Sequence, residues 1–158
     1  MRIGLGFDTH AFAPGRDLIL GGVAIPYEQG LMGHSDADVL AHAVSDALLG
    51  AANLGDIGQH FPDTDPAYRG ADSLALLARC MKMVRQQGWE LENVDAVVIA
   101  QVPKLAPYRL QMQQNMARAM GVAQQCVSVK ATTTERLGFC GRAEGIAAQA
   151  VCLLKRKE

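Results

Sequence analysis

The sequence predicts a single layer of mixed β-sheet with helices packed on one face, in the α+β or α/β class. Strand-like and helix-like segments follow one another in the order strand, helix, helix, strand, helix, strand and a last, ambiguous element. The 158 residues are 49% hydrophobic and contain no repeat, low-complexity tract or linker. We therefore expect one domain over residues 1–158 with a sizeable core.

The chain begins with a predicted strand and a predicted hairpin. Apolar residues alternate with small or polar ones along residues 2–12, which is typical of a strand. Asp8 and His10 then share the face opposite the apolar residues. Two glycines in the middle of residues 18–25 predict a short hairpin.

A helix and an irregular loop are predicted next. Apolar residues recur at helical spacing to about residue 50, with Ser35 as the expected cap and Asp38 completing a capping box. His42 lies on the polar face of this helix, as either a solvated side chain or a metal ligand. Residues 55–66 hold two glycines, two prolines and three aspartates, which predicts a loop without packed structure.

Patterns in the second half of the chain predict two helices and two strands and leave the type of the last segment undecided. Residues 71–87 and 107–120 have helical spacing and are each followed by a glycine. Residues 96–100 are continuously apolar, which predicts a strand buried on both faces or at an interface. Residues 127–130 form another strand, whereas residues 144–154 fit a helix by propensity and a strand by alternation.

Composition excludes several classes of function. A net charge of −1 and 5% aromatic residues give no support to binding of nucleic acid or of an anionic membrane. The apolar runs are too short for a membrane span, and the N-terminal one is too short for a signal peptide. We expect a cytoplasmic protein with reduced core thiols, because no C-x-x-C pair occurs among its cysteines, Cys80, Cys126, Cys140 and Cys152.

Three sets of residues are candidates for chemistry. Asp8, His10 and His42 would form a catalytic zinc set with one position left open, although spacing and composition alone favour a surface aspartate and two structural histidines. Three threonines before Glu135 fit a site for phosphate and a divalent cation, or else a simple cap or turn. Arg142 fits either a phosphate ligand or a partner in an ion pair.

Together, these segments resemble the 2-C-methyl-D-erythritol 2,4-cyclodiphosphate synthase family over essentially the whole chain. The matching blocks are GFDTH at 6–10, GHSDAD at 33–38, GDIG at 55–58, FPDTD at 61–65, PK at 103–104, ATTTE at 131–135 and GRAEG at 141–145. The resemblance implies a homotrimer whose sheets face inward, with active sites between adjacent subunits. It also implies that the last segment is a strand.

The resemblance assigns roles to individual residues. It implies that Asp8, His10 and His42 bind zinc, that Glu135 binds Mg²⁺ or Mn²⁺, and that His34 and Thr133 stabilise the transition state. Phe139 and Arg142 would line a central cavity that holds an isoprenoid diphosphate. The residues expected to contact the methylerythritol, phosphate and cytidine parts of the substrate are Ser35, Asp56, Ile57, Gly58, Phe61, Pro62, Asp63, Thr64, Asp65, Ala100, Gln101, Val102, Pro103, Lys104, Leu105, Ala106, Ala131, Thr132 and Thr134.

The implied reaction converts 4-diphosphocytidyl-2-C-methyl-D-erythritol 2-phosphate to the cyclic diphosphate and CMP. Two alternatives stay open at this point, a zinc-dependent phosphohydrolase and a non-catalytic trimer that binds isoprenoid diphosphates. We also expect Asp46, one helical turn from His42, to hold the free ring nitrogen of that histidine.

Overall fold

A five-stranded mixed sheet forms the centre of the fold in the computed structural model, which describes residues 1–157. The strand order is β4-β1-β7-β5-β6; only β5 and β6 are parallel among these pairs, and β2 and β3 form a separate hairpin. The strands are β1 (Arg2–Ala13), β2 (Leu18–Leu20), β3 (Val23–Ile25), β4 (Gly30–Leu31), β5 (Trp89–Ile99), β6 (Val127–Thr132) and β7 (Gly145–Arg156). The predicted α+β class and mixed sheet are confirmed.

The longer helices cover one face of this sheet. Helix α1 packs on β1 and β7, α3 packs on α1, and α4 packs on α3 and β6. The helices are α1 (Val39–Ala52), α2 (Ile57–His60), α3 (Ser73–Gln86), α4 (Arg109–Met120) and α5 (Gly138–Gly141). None of the helices described for residues 1–157 combines the length and apolarity that crossing a lipid bilayer requires.

Strand β1 turns its glycines, and not its apolar side chains, towards α1. A Cβ atom on Gly4 would lie 1.8 Å from the carbonyl oxygen of Ala47, so no larger residue fits between strand and helix. Because side chains alternate along a strand, Ile3, Leu5 and Phe7 point to the opposite face, where they are 73%, 60% and 56% exposed. The face of the sheet that the longer helices leave uncovered therefore carries an exposed apolar stripe within this chain.

Several predicted elements are confirmed and two are wrong. The ambiguous last segment is strand β7, and all four cysteines are free. Helix α1 begins at Val39 with Asp38 as its cap, whereas the Ser35 hydroxyl instead accepts from the N–H of Ala37 at 3.2 Å. The predicted unstructured loop contains α2 and leads into a 3₁₀ turn (Pro66–Tyr68), because its aspartates cap these short helices.

Replacing Asp38 with alanine should destabilise the protein strongly. The carboxylate is fully buried and accepts hydrogen bonds from the N–H groups of Gly21, Gly22 and Ala41 at 2.9, 2.8 and 3.0 Å. Because a buried donor without a partner costs about 1–3 kcal/mol, we expect a loss of about 3 kcal/mol or more. Urea denaturation at fixed protein concentration measures this loss.

The control for this experiment is the exposed cap of α3. Asp72 accepts from the N–H of Leu74 at 2.9 Å, and its replacement by alanine should cost about 1 kcal/mol. Equal losses for the two variants would contradict the structural importance of the buried carboxylate.

Candidate active site

Three side chains with metal-binding atoms converge where β1 faces α1. Asp8 and His10 lie on the helix-facing side of β1, and His42 comes from the second turn of α1. The Asp8 Oδ2 atom is 2.9 Å from His10 Nε2 and 3.0 Å from His42 Nδ1, and these two nitrogens are 3.3 Å apart. One ligand atom from each residue lies within 4.8 Å of the others, so the group fits a single ion.

Interactions within this cluster favour the ionised form of Asp8, which is the form that binds a metal. Burial raises the pKa of Asp8, but hydrogen bonds and charge interactions with His10 and His42 outweigh it and lower the pKa to about 2. Burial lowers the pKa of His10, yet its interactions with Asp8 dominate and raise that pKa overall. Two imidazoles and one carboxylate are a donor set for a divalent cation with an open coordination position.

The backbone fixes which nitrogen of His10 faces the cluster. Its Nδ1 lies 2.6 Å from the carbonyl oxygen of Met32, so the ring donates its Nδ1–H proton there. Nε2 then faces Asp8: it donates to the carboxylate when the ring is protonated, and its lone pair is available to a metal when the ring is neutral. This arrangement fits a metal-bound histidine, whose second nitrogen ordinarily donates to a carbonyl or carboxylate.

A cleft of about 390 Å³ opens beside the cluster. Its wall contains most of the residues predicted for the methylerythritol site, together with three residues that the sequence did not point to: Ser45, Tyr68 and Leu76. Asp56, Thr64 and Asp65 do not line it; Asp56 caps α2, Thr64 is exposed, and Asp65 accepts from the Ala67 N–H at 2.9 Å. The predicted residues in the wall are His34, Ser35, Ile57, Gly58, Phe61, Pro62 and Asp63.

A second cleft, of about 360 Å³, lies towards the opposite edge of the sheet from β1, where β5 and β6 end. Almost every residue predicted for the cytidine pocket lines it, although Val102 does not. The lining residues that the sequence predicted are Ala100, Gln101, Pro103, Lys104, Leu105, Ala106, Ala131, Thr132 and Thr133.

A tight turn holds Glu135 at the rim of this second cleft. Glu135 and Arg136 have φ angles of 53° and 65°, a left-handed conformation that non-glycine residues adopt only when their surroundings hold them. The Thr133 hydroxyl accepts from the Glu135 N–H at 3.2 Å, and the Gln101 side-chain carbonyl accepts from the Arg136 N–H at 3.0 Å. These bonds present the Glu135 carboxylate beside the threonine hydroxyls.

The two clefts are well separated within one chain. Asp8 pairs with Ala148, Ala148 with Val98, and Val98 with Ala131, so three strand spacings lie between the two sites. At about 4.8 Å each, these spacings amount to about 14 Å. Helix α1 packs over the intervening strand β7. Within one chain, Glu135 and the three-residue cluster are therefore too far apart to bind the same phosphate group.

Comparison with known proteins identifies the family. Residues 1–155 match the YgbB family. The chain belongs to that family. A 2-C-methyl-D-erythritol 2,4-cyclodiphosphate synthase from Geotalea daltonii is 61% identical over 157 residues, or 99% of this chain and 92% of that protein. The resemblance found in the sequence motifs is thereby confirmed.

Two solved structures place the fold within the same family. The bifunctional IspDF from Campylobacter jejuni is 48% identical, with a TM-score of 0.96 over 99% of this chain and 42% of that chain. This YgbB-family chain thus spans less than half of the bifunctional protein. A CDP-bound 2C-methyl-D-erythritol-2,4-cyclodiphosphate synthase is 40% identical, with a TM-score of 0.88 over 98% of this chain and 100% of that chain.

The predicted partner of His42 in this YgbB-family chain is wrong. The Asp46 carboxylate accepts from the N–H of Ile57 at 2.8 Å and thereby anchors α2. The Nε2 atom of His42 instead lies 2.9 Å from the Ser73 hydroxyl, at the start of α3. Sequence spacing misses this contact, because Ser73 is 31 positions away from His42.

Phe139 lies in α5 and Arg142 caps the end of that helix, on the side of the sheet that the longer helices leave uncovered. Phe139 is 40% exposed and lines an apolar cleft of about 210 Å³ together with Phe7 and Leu137. Arg142 is not part of that lining, and its guanidinium donates to Glu144 at 3.0 Å. Of the two readings that the sequence left for Arg142, the ion pair is the one formed within the chain.

Proposed function

We propose that this chain converts 4-diphosphocytidyl-2-C-methyl-D-erythritol 2-phosphate to 2-C-methyl-D-erythritol 2,4-cyclodiphosphate and CMP. The observation that carries the proposal is the cluster of Asp8, His10 and His42 beside an open cleft, in a chain of the YgbB family. Its relatives bear the synthase name at 58–61% identity. The chemistry would be that of a CMP-releasing phosphorus–oxygen lyase, in one domain over residues 1–158.

The reaction needs alignment and charge neutralisation more than a strong base. An oxygen of the 2-phosphate attacks the β-phosphorus, the bond from that phosphorus to the bridging oxygen breaks, and CMP leaves with the bridging oxygen. The nucleophile is already an anion, while the two phosphates repel each other. His34 and Thr133 would donate hydrogen bonds to phosphate oxygens whose negative charge grows in the transition state.

Two cation sites would meet the need for positive charge. Asp8, His10 and His42 would hold zinc, and Glu135 would hold Mg²⁺ or Mn²⁺, since magnesium prefers one or two carboxylates plus phosphate oxygens. When bound, these cations neutralise and orient the two phosphates. Asp8 suits this role because its pKa of about 2 keeps it ionised at neutral pH.

The two clefts divide the substrate between them in this proposal. The cleft beside the cluster would take the methylerythritol unit, with Ile57, Gly58 and the loop from Phe61 to Asp63 as its wall. The second cleft would take the cytidine, with Lys104 near the diphosphate. The supporting relative is a synthase solved in its CDP-bound form.

A homotrimer would bring the two clefts together. We propose that the sheets face inward and that each active site pairs the cluster of one subunit with the Glu135 turn of its neighbour. The uncovered stripe of Ile3, Leu5 and Phe7 supports this assembly, because exposed apolar faces of this kind mark interfaces. Phe139 and Arg142 would then line the central cavity that can hold an isoprenoid diphosphate. Four free cysteines support a cytoplasmic location.

Product analysis tests the reaction. The purified protein, incubated with the diphosphocytidyl substrate, Zn²⁺ and Mg²⁺, should yield the cyclic diphosphate and one CMP for each substrate consumed, as followed by phosphorus NMR. Linear phosphates in place of the ring would favour the phosphohydrolase. Absence of turnover in wild type, with tight binding of isoprenoid diphosphates, would favour the non-catalytic trimer.

A further inference from the structure

The side of His42 that faces away from Asp8 is held by a buried serine. Ser73, the first residue of α3, is 1% exposed, and its hydroxyl oxygen lies 2.9 Å from Nε2 of His42. The opposite ring nitrogen, Nδ1, faces Asp8 and His10. One ring nitrogen of His42 therefore faces the cluster, and the other contacts Ser73.

The Asp36 carboxylate determines whether the Ser73 hydroxyl donates or accepts in its hydrogen bond with His42. The Ser73 hydroxyl donates to Oδ1 of Asp36, and the Ser73 N–H donates to Oδ2 of the same carboxylate at 3.1 Å. Oδ1 also accepts from the N–H of Asp38 at 3.1 Å. An ionised carboxylate can only accept hydrogen bonds, so the single proton of the Ser73 hydroxyl belongs to the bond with Asp36.

The direction of this hydrogen bond favours one tautomer of His42. Because the Ser73 oxygen has given its proton to Asp36, it faces His42 with a lone pair and must accept the Nε2–H of the imidazole. With its N–H on Nε2, the neutral ring keeps the Nδ1 lone pair free for a metal; without a metal, the Asp8 carboxylate, 3.0 Å away, competes for a proton on Nδ1. A metal requires this lone pair of the imidazole, and Nδ1 already points into the cluster.

We propose that Asp36 and Ser73 are positioning residues for the metal centre, holding His42 as its Nε2–H tautomer with Nδ1 aimed at Asp8 and His10. The inference deepens the proposed function and rests on its metal site. It also explains how α3 takes part, since its first residue fixes the ring while the rest of the helix packs on α1. His10 is fixed independently by the Met32 carbonyl.

Nitrogen-15 NMR of the metal-free wild-type protein tests the tautomer directly. We expect His42 to carry a proton on Nε2. The Ser73→Ala variant should lose much of this proton to Nδ1, where Asp8 accepts it, whereas Ser73→Thr, which keeps the hydroxyl, should return towards the wild-type pattern. An unprotonated Nε2 in wild type would overturn the inference, since it would mean that a serine donates to Nε2; Ser35 lies 3.3 Å from the same atom.

Zinc affinity provides the second readout, from competition with a chromophoric chelator. We expect Ser73→Ala to weaken zinc binding about 10–100-fold, and Ser73→Thr to recover most of the loss. The matched control is Asp72→Ala, which removes the exposed cap of the same helix end, where Asp72 accepts from the Leu74 N–H at 2.9 Å. Equal zinc affinity for the Ser73→Ala and Asp72→Ala variants would overturn the inference.

The two measurements separate this inference from the proposed function. Wild-type protein that binds no zinc would remove the metal site of the proposed function, while the NMR spectrum would still decide the tautomer. If Ser73→Ala fails to fold, the tautomer in the wild-type protein decides alone, because that measurement requires no substitution.

Discussion

An Asp8→Ala variant should lose tight zinc binding and nearly all synthase activity. Asp8 is the one carboxylate in the cluster, and its Oδ2 atom lies within 3.0 Å of both histidine nitrogens. Its removal takes away a ligand and the negative charge that offsets the charge of a divalent cation. A metal Lewis acid contributes several kcal/mol to charge stabilisation, so we expect turnover to fall at least about 10³-fold.

The loss should be chemical and not structural. The Asp8 side chain is 26% exposed and does not belong to the apolar core, so the variant should keep its fold, as circular dichroism would show. Glu92→Ala serves as the control, because Glu92 is an exposed acid that pairs with Lys155 at 2.6 Å, remote from both clefts. Wild-type zinc affinity in the Asp8→Ala variant would remove the cluster from the proposed mechanism.

The sequence alone predicts the elements of the fold better than their orientation. Periodicity identifies β1, α1 and α3, since each has a clear repeat in its apolar residues, and a continuous apolar run identifies the end of β5. It does not show that β1 turns its glycines to the helix, because that depends on how closely α1 approaches. A Cβ atom on Gly6 would lie 1.9 Å from the Ala43 carbonyl oxygen, and only the folded structure contains that distance.

The candidate site shows the same difference between what the sequence predicts within one element and what depends on contacts between elements. Asp8 and His10 share a strand face by simple alternation, and the family motifs add His42 to them. The partner of His42 could not be found in this way, because helical spacing favours Asp46 over a serine on another helix. Asp46 is instead engaged by the Ile57 N–H, a bond that depends on where α2 lies. Contacts between distant segments are set by tertiary packing, which local patterns do not encode.

Mixing two inactive variants should restore activity if each site is shared between subunits. Within one chain, Asp8 and Ala131, which lines the second cleft shortly before the Glu135 turn, are about 14 Å apart across three strand spacings. Asp8→Ala and Glu135→Gln should each be nearly inactive as homotrimers. In a mixed trimer, one of the three sites would pair an intact cluster with an intact Glu135 turn, so about one third of wild-type activity should return.

Differently tagged variants, co-expressed and purified through both tags, would isolate these mixed trimers, with light scattering to verify three subunits. The matched control mixes Asp8→Ala with the double variant that also carries Glu135→Gln, which leaves no intact cluster in any site and should stay inactive. Recovery in the first mixture alone would show that the two clefts act across an interface. Inactive mixed trimers would mean that the cluster and the Glu135 turn do not serve one reaction in neighbouring subunits. The apolar stripe of Ile3, Leu5 and Phe7 would then need another role.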